Sequence, residues 1–314
     1  VTIGRGPRAI TVGEETVFFR HEKTFVHRPG FFRVVQPGGG RPQDIETRLK
    51  EWAAVRLERA GELFQVDGIT VREAPGKTGD SVAVATAAAR LGFPVAVASA
   101  TLAGATAMAE AVKNDRPLLV PPRGEDRAGY ANLAARLGVP LVVAAPDIEA
   151  LAWAAVEAAR AGVADILLEP AADSLSVLHR DLALIRRGAL DRVHPGLGYP
   201  VFVRAAAGEI AKATLAVTKF ASIVSLDDAG GETWMPLWTL RQNIYTDPQK
   251  PLQMNAGIYS IGEPDRASPL LVTTNFSLTY FIVSTEIEAT GVASHLAVVD
   301  TEGISVESSV AGRQ

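Results

Sequence analysis

The 314-residue sequence contains no cysteine, which excludes disulfides, thiolate metal sites and cysteine nucleophiles from this stretch of chain. Histidine is scarce as well. The five (His21, His27, His179, His194 and His295) are scattered, and none shares the HxxxH or HExxH spacing of a zinc or di-metal site. Each is read as structural, with His21 ordering an N-terminal hairpin or a subunit contact. Charge of one sign is not in excess: 31 Lys and Arg against 35 Asp and Glu leave a net −4, which gives no basic face for nucleic acid. No run approaches eighteen unbroken apolar residues, so no membrane span is expected. The opening VTIGRGPRAI carries charges and glycines where a signal peptide has its apolar core, and a cytoplasmic location is expected. Phosphate and nucleophile motifs are also missing. Gly76-Lys77-Thr78 looks like the end of a phosphate loop, but the required glycine five residues earlier is Val71. No GxGxxG follows a strand and no GxSxG is present.

What is present is a globular composition, 47% apolar and 21% charged, in a chain long enough for one large domain and part of another. Between about residues 14 and 240, short β-branched runs alternate with Ala-rich helical stretches. Strand candidates fall at 16–19, 68–72, 95–99, 118–120, 141–144, 166–169, 201–204 and 223–226. Seven precede a helical pattern, and the eighth leads to a weaker one at 232–243. Tyr130, Leu133, Ala134 and Leu137 line one helix face; Asp147 and Asp173 suit N-caps, and Gly138, Gly162 and Gly188 suit helix ends. Eight such units predict a closed (β/α)₈ barrel over residues 1–240, with an open doubly wound sheet as the alternative. Residues 241–255, with Asp247-Pro248 and Lys250-Pro251, read as a flexible linker. Residues 256–314 read as part of a second α/β domain. Its strands are expected at 257–261, 270–273 and 296–300, and its helix buries Phe276, Tyr280, Val283 and Ile287.

The strand ends of a barrel carry its chemistry. Here they offer Arg72, Glu73, Ser99, Glu169, Arg204, Asp227 and Asp228, beside the inert Pro121, Pro122, Ala144 and Ala145. Glu169 and Arg204 fall on adjacent strands and are expected to pair, which leaves a mouth suited to a scaffold. A second candidate site is the string LLVTTNFSLTYF at 270–281. A short apolar strand runs into small hydroxyl and amide side chains at a helix start, the place where open α/β sheets bind ligands. Asn275 or Thr274 acting as an ordinary N-cap explains the same residues. Asp300-Thr301-Glu302-Gly303 closes the next strand, so the two ends could enclose one side of a large flat ligand.

The string VTTNFSLTYF, the preceding RQNIYTDPQKPLQ (241–253), the following LAVVDTEGISV (296–306) and GEETVFFRHEKTF (13–25) together resemble the large (gamma) subunit of the corrinoid/iron–sulfur protein of the acetyl-CoA decarbonylase/synthase system. The resemblance implies a TIM barrel followed by a partial Rossmann-like corrinoid-binding domain. It also implies a subunit shorn of its N-terminal cysteine domain, which holds a 4Fe–4S cluster, and of the end of its C-terminal domain. The implied cofactor is cobalamin, contacted by Thr273, Thr274, Asn275, Ser277 and Thr279, with Asp300 and Gly303 nearby. No D-x-H-x-x-G loop is present, which agrees with a family whose cobalt has no protein axial ligand and is readily reduced. The implied role is a methyl carrier, taking a methyl group from methyl-tetrahydropterin or methyltetrahydrofolate and passing it to acetyl-CoA synthase. The implied partners are a small (delta) corrinoid protein subunit in a heterodimer, a methyltransferase and acetyl-CoA synthase. Two alternatives stand beside it: a barrel that binds a pterin at its own mouth through Asp227, Asp228 or Glu169, and a purely structural barrel docking a like barrel.

Overall fold

The computed structural model describes residues 1–15, 26–38, 42–59, 62–124, 126–192, 194–227, 230–246 and 252–301. They divide into two compact units, one ending at Tyr245 and the other running on from Thr246.

The first unit is a TIM barrel. Its strands and helices alternate as β1 (Gly30–Val35), α1 (Pro42–Ala54), β2 (Gly68–Arg72), α2 (Thr78–Arg90), β3 (Val95–Ala98), α3 (Leu102–Ala111), β4 (Leu118–Val120) and α4 (Arg127–Leu137). The second half continues as β5 (Leu141–Ala145), α5 (Ile148–Arg160), β6 (Ile166–Pro170), α6 (Leu175–Leu190), β7 (Val201–Ala205), α7 (Ile210–Thr218), β8 (Ala221–Leu226) and α8 (Gly231–Thr246). All eight strands are parallel, and β8 closes on β1 with Ile223 opposite Gly30 and Leu226 opposite Arg33. Each strand is buried on both faces, which is why these runs read as continuous β-branched stretches. Alternation sorts them into two layers. Phe32, Ala96, Leu118, Val142, Leu167, Phe202 and Ile223 point inward, with Ile3 and Val12 of an N-terminal ribbon beneath them. Phe31, Val71, Val97, Leu119 and Val143 point outward to the helices.

Small residues set how closely the layers approach. A Cβ on Gly68 would lie 2.6 Å from the Phe32 ring, and one on Gly196 would lie 1.9 Å from the Ala152 carbonyl oxygen on α5. Asp147 caps α5 by accepting from the Ala150 N–H at 2.8 Å, and Gly138 ends α4 in the left-handed region at φ 64°.

Several sequence expectations shift. The candidate at 16–19 lies outside the described residues, and the first barrel strand is the unanticipated GFFRVV of β1. Ser174 caps α6 in place of Asp173. Gly188 lies inside α6, where a Cβ would meet Leu197 Cδ1 at 2.4 Å, so the glycine serves packing and not a helix stop. Residues 241–246 are the last turns of α8. They stay helical because the buried Arg241 is anchored in the barrel, donating to the Pro29 carbonyl at 2.9 Å and to Asp67. Trp234 and Trp238 stack at 5.8 Å on the same helix, with Trp234 edge-on to Phe31. Both Asp-Pro and Lys-Pro of the expected linker lie outside the described residues.

The second unit holds β9 (Gly257–Ile261), β10 (Leu270–Thr274), α9 (Ser277–Thr290) and β11 (Ser294–Val299). The sheet order is β9-β11-β10: β10 and β11 are parallel and joined through α9, while β9 runs antiparallel to β11. The antiparallel β9 is a departure from a purely parallel Rossmann-like sheet. Ile261, Leu296, Val298 and Ile287 form the core under α9, with Tyr280 and Val283 packed against it as their spacing predicts. The opposite face is bare, with Ile258 and Val272 each about two-thirds exposed.

Candidate functional site

At the barrel mouth, the described acidic candidates Glu73, Glu169 and Asp227 are already engaged. Glu169, at the end of β6, is buried. Its Oε2 accepts from Arg204 Nε and Nη2 at 3.1 and 2.7 Å, and its Oε1 accepts from Arg123 Nε and Nη2 at 3.1 and 2.9 Å. Arg204 also donates to the Pro121 carbonyl at 2.7 Å. The expected Glu169–Arg204 pair is present; Arg123 completes it from the loop after β4, where no pattern in the sequence marks it. Arg72 grips Asp227 in a two-pronged pair at 2.9 and 2.6 Å, and the Glu73 carboxylate takes the hydroxyls of Thr78 and Ser99. A general base needs a free lone pair aimed at substrate. Each of these carboxylates is held in place by arginines or hydroxyls, and Asp228 lies outside the described residues.

One acid beside the mouth carries a pH signature. The Ala206 backbone N–H, donating at 2.8 Å, holds the Glu209 carboxyl below the usual range; burial opposes this slightly, and Lys212 at 3.3 Å adds to it. A depressed folded value means the contribution is present above the ordinary glutamate pKa and is lost as pH falls through the depressed one. Acid titration of stability is therefore expected to be shallower below the ordinary glutamate range in Glu209→Gln than in the parent chain. Identical profiles would remove this group from the acid response.

The other candidate lies wholly in the second unit, where β10 and β11 end side by side. Asn275 ties these ends together. Its backbone N–H donates to the Val299 carbonyl at 2.9 Å, and its Nδ2 donates to Asp300 Oδ1 at 3.0 Å and Gln253 Oε1 at 3.3 Å. Its Oδ1 accepts from the backbone N–H and hydroxyl of Thr301 at 3.0 and 3.1 Å. The N-cap position of α9 is Phe276, with no side-chain cap, so neither Asn275 nor Thr274 plays the capping role that could have explained the string. Ser277 and Thr279 lie half-buried in the first turn of α9, whose leading N–H groups need partners from outside the helix. The Ser277 N–H finds one in the Leu252 carbonyl at 2.8 Å.

Thr273 and Thr274 differ from their neighbours. Both residues are more than nine-tenths buried, and neither Oγ1 has a hydrogen-bond partner. Strand alternation directs them to opposite faces, Thr273 with the α9 core and Thr274 with the bare face. The structure thus brings Asn275, Asp300 and Thr301 into direct contact and sets the two threonines beside them; Gly303 lies outside the described residues. Gln253 was missed because a lone glutamine in a polar segment carries no periodic signal. His295 sits near the start of β11, at the far end from Asp300, with its Nε2 3.1 Å from the Asp265 carbonyl. Among the described residues, no three His, Asp or Glu side chains are grouped to hold a metal ion. No helix among them is long and apolar enough to cross a membrane.

Comparison with known proteins bears on the whole of this arrangement. The family described as "CO dehydrogenase/acetyl-CoA synthase delta subunit" matches residues 1–314. The chain belongs to this family. The acetyl-CoA decarbonylase/synthase complex subunit gamma of Methanopyrus kandleri is 35% identical over 336 aligned residues, covering all of this chain and 71% of that protein. The corrinoid/iron–sulfur protein large subunit of Moorella thermoacetica is 32% identical over 318, covering 98% of this chain and 70% of that one. The family description names a delta subunit, and these relatives are gamma or large subunits. Among solved structures, dihydropteroate synthase of Thermus thermophilus superposes with a TM-score of 0.53 at 21% identity, over 76% of this chain and 97% of that one. At that identity the likeness is one of barrel fold.

Proposed function

We propose that this member of the corrinoid/iron–sulfur family is a methyl-carrier component of the acetyl-CoA pathway, with a corrinoid seated on the ends of β10 and β11. One observation carries the reading: two adjacent threonine hydroxyls are buried without partners beside the Asn275 clamp. A buried hydroxyl left unsatisfied costs about 1–3 kcal/mol, a cost that disappears when a ligand supplies the missing partner. A corrin ring is flat and fringed with amides, which can donate to and accept from such hydroxyls. Family membership names the corrinoid; the threonines and the small side chains around them fit it.

Each residue has a distinct task in this reading. Thr274, and Thr273 on the other face of the same strand end, are the two hydroxyls that a ligand lying across that end would meet. Asn275 holds the strand ends, and with them Asp300 and Thr301, in one arrangement before the ligand arrives. Ser277 and Thr279 keep the crevice open and polar. A bound corrinoid would supply a cobalt centre that accepts a methyl group and gives it up to a second acceptor. The methyl donor would be a methyl-tetrahydropterin or methyltetrahydrofolate, delivered by a methyltransferase, and the acceptor acetyl-CoA synthase. A small (delta) subunit would cover the exposed side of the ligand. The 4Fe–4S cluster of the family name has no ligands within this cysteine-free sequence.

The test uses opposite signs. With the small subunit present, the chain should retain hydroxocobalamin through desalting and show its visible absorbance. The Thr273→Val, Thr274→Val double variant should retain roughly tenfold less, as loss of one or two hydrogen bonds implies. Without cobalamin, its unfolding midpoint should hold or rise, because it no longer buries unpaired hydroxyls. Failure of the parent chain to hold cobalamin would overturn the function; equal retention by the variant would overturn the site. A pterin at the barrel mouth has weaker support, since Arg72 occupies Asp227 and two arginines occupy Glu169.

A further inference from the structure

The end of the barrel opposite the mouth contains a cavity of about 440 Å³, lined by Arg8, Arg28, Arg241, Gln65 and Asp67 among others. Three guanidiniums thus meet one carboxylate. That carboxylate is already committed: Asp67 Oδ2 accepts from the Phe31 backbone N–H at 2.9 Å and from Arg241 Nη1. Arg241 is neutralised by this pair, Arg28 is held only in a loose ion pair with Glu62, and Arg8 has no ion pair among the described residues. Arg28 reaches its nearest acid, Glu62, only at 3.7 Å, beyond hydrogen-bond range, and is half-exposed. The Arg8 guanidinium lies over the Phe93 ring at 4.7 Å and donates Nη2 to the Ala53 carbonyl at 3.0 Å, but its Nη1 is buried with no acceptor.

The surroundings increase this imbalance. Arg56 stands close enough to depress the Arg8 pKa, second to burial itself, with Asp67 opposing more weakly. The Gln65 side-chain oxygen accepts from Arg56 Nη1 at 3.0 Å and not from Arg8. The nearby His27 ring is turned to Glu14 at 3.2 Å. A buried donor on a charged group without an acceptor is costly, and arginine's planar fork matches carboxylate and phosphate oxygens two at a time.

We propose that this basal cavity is a binding site for a small multivalent anion of the phosphate or polycarboxylate class, held between Arg8 and Arg28. The volume exceeds a single phosphate, since one water takes about 30 Å³ of liquid. It suits pyrophosphate- or citrate-sized ligands with accompanying water. Such an anion would give Arg8 Nη1 its acceptor and offset the repulsion between Arg8 and Arg56. The site is independent of the corrinoid reading and lies in the other unit of the chain.

Calorimetric titration of the whole chain with pyrophosphate and with citrate, against sodium chloride at matched ionic strength, tests this. Saturable one-site binding of at least one of them is expected, and the stronger binder identifies the class. Arg28→Glu changes a half-exposed side chain, should unfold at the same temperature without ligand, and should bind at least tenfold more weakly. Arg8→Lys keeps a cation over Phe93 but loses the fork, and should also weaken binding. No saturable heat from either anion, an equal response to chloride, or undiminished affinity in folded Arg28→Glu would overturn the proposal.

Discussion

Replacing Asp67 by alanine is expected to lower the unfolding free energy of the barrel by about 3–5 kcal/mol, the usual cost of stranding one partner of a buried ion pair. Asp67 lies just ahead of β2, and its carboxylate serves two elements at once. It accepts the Phe31 N–H of β1 and the guanidinium of Arg241 on α8. Arg241 is 2% exposed and sits over the Phe31 ring at 4.7 Å, so water cannot replace the lost charge partner. The Pro29 carbonyl would remain as its acceptor, but a carbonyl does not balance a positive charge. Asp67→Asn keeps an oxygen for Phe31 and should fall between alanine and the parent. Asp67→Ala combined with Arg241→Met should cost less than Asp67→Ala alone, because the stranded charge goes with its partner. Urea unfolding measures all of these. A single-variant loss below about 1 kcal/mol would show that Arg241 finds another way to be neutralised.

Asn275→Ala is expected to cost about 2–4 kcal/mol, from several hydrogen bonds worth roughly 1 kcal/mol each. The loss should appear in the second unit alone. The alanine variant keeps the backbone bonds to Val299 and Met254 and removes every side-chain bond to Gln253, Asp300 and Thr301. Hydrogen exchange offers a local readout: the Thr301 amide, now bonded to Asn275 Oδ1, should exchange faster while the amides of β1 to β8 stay unchanged. Asn275→Asp retains an acceptor for Thr301 but sets a carboxylate against Asp300, and should be nearly as damaging. Both variants should lose cobalamin if the strand ends seat it. Unchanged exchange at Thr301 would show that the clamp is redundant.

The barrel was legible because its signal is local. Strands β2 to β8 are short β-branched runs buried on both faces, and each announces itself within five or six residues. β1 escaped because its GFFRVV run opens on a Pro-Gly pair after a stretch already assigned to a strand, so the total of eight was right with a different first member. Gly188 was misread for a similar reason: a glycine near a helix end looks like a stop, and only Leu197 pressing against it from a distant turn shows otherwise. The candidate site was legible as chemistry, a group of small polar residues at a strand end, but not as geometry. Nothing in VTTNFS reveals that Asn275 bonds across to Asp300 and Thr301 while Thr273 and Thr274 are left without partners.

By itself the sequence determined the alternation of strand and helix, the lack of any cysteine ligand, and the polar strand end of the second unit. These follow from residue type and spacing along a few turns of chain. Tertiary structure alone decided who pairs with whom. Arg241 meets Asp67 across 174 residues and Arg123 meets Glu169 across 46, distances over which periodicity carries no information. Barrel closure sets the first encounter by bringing β8 to β1, and the neighbouring order of β4, β5 and β6 sets the second. Packing within each unit leaves the Thr273 and Thr274 hydroxyls and Arg8 Nη1 buried without partners, the features on which the two proposed sites rest.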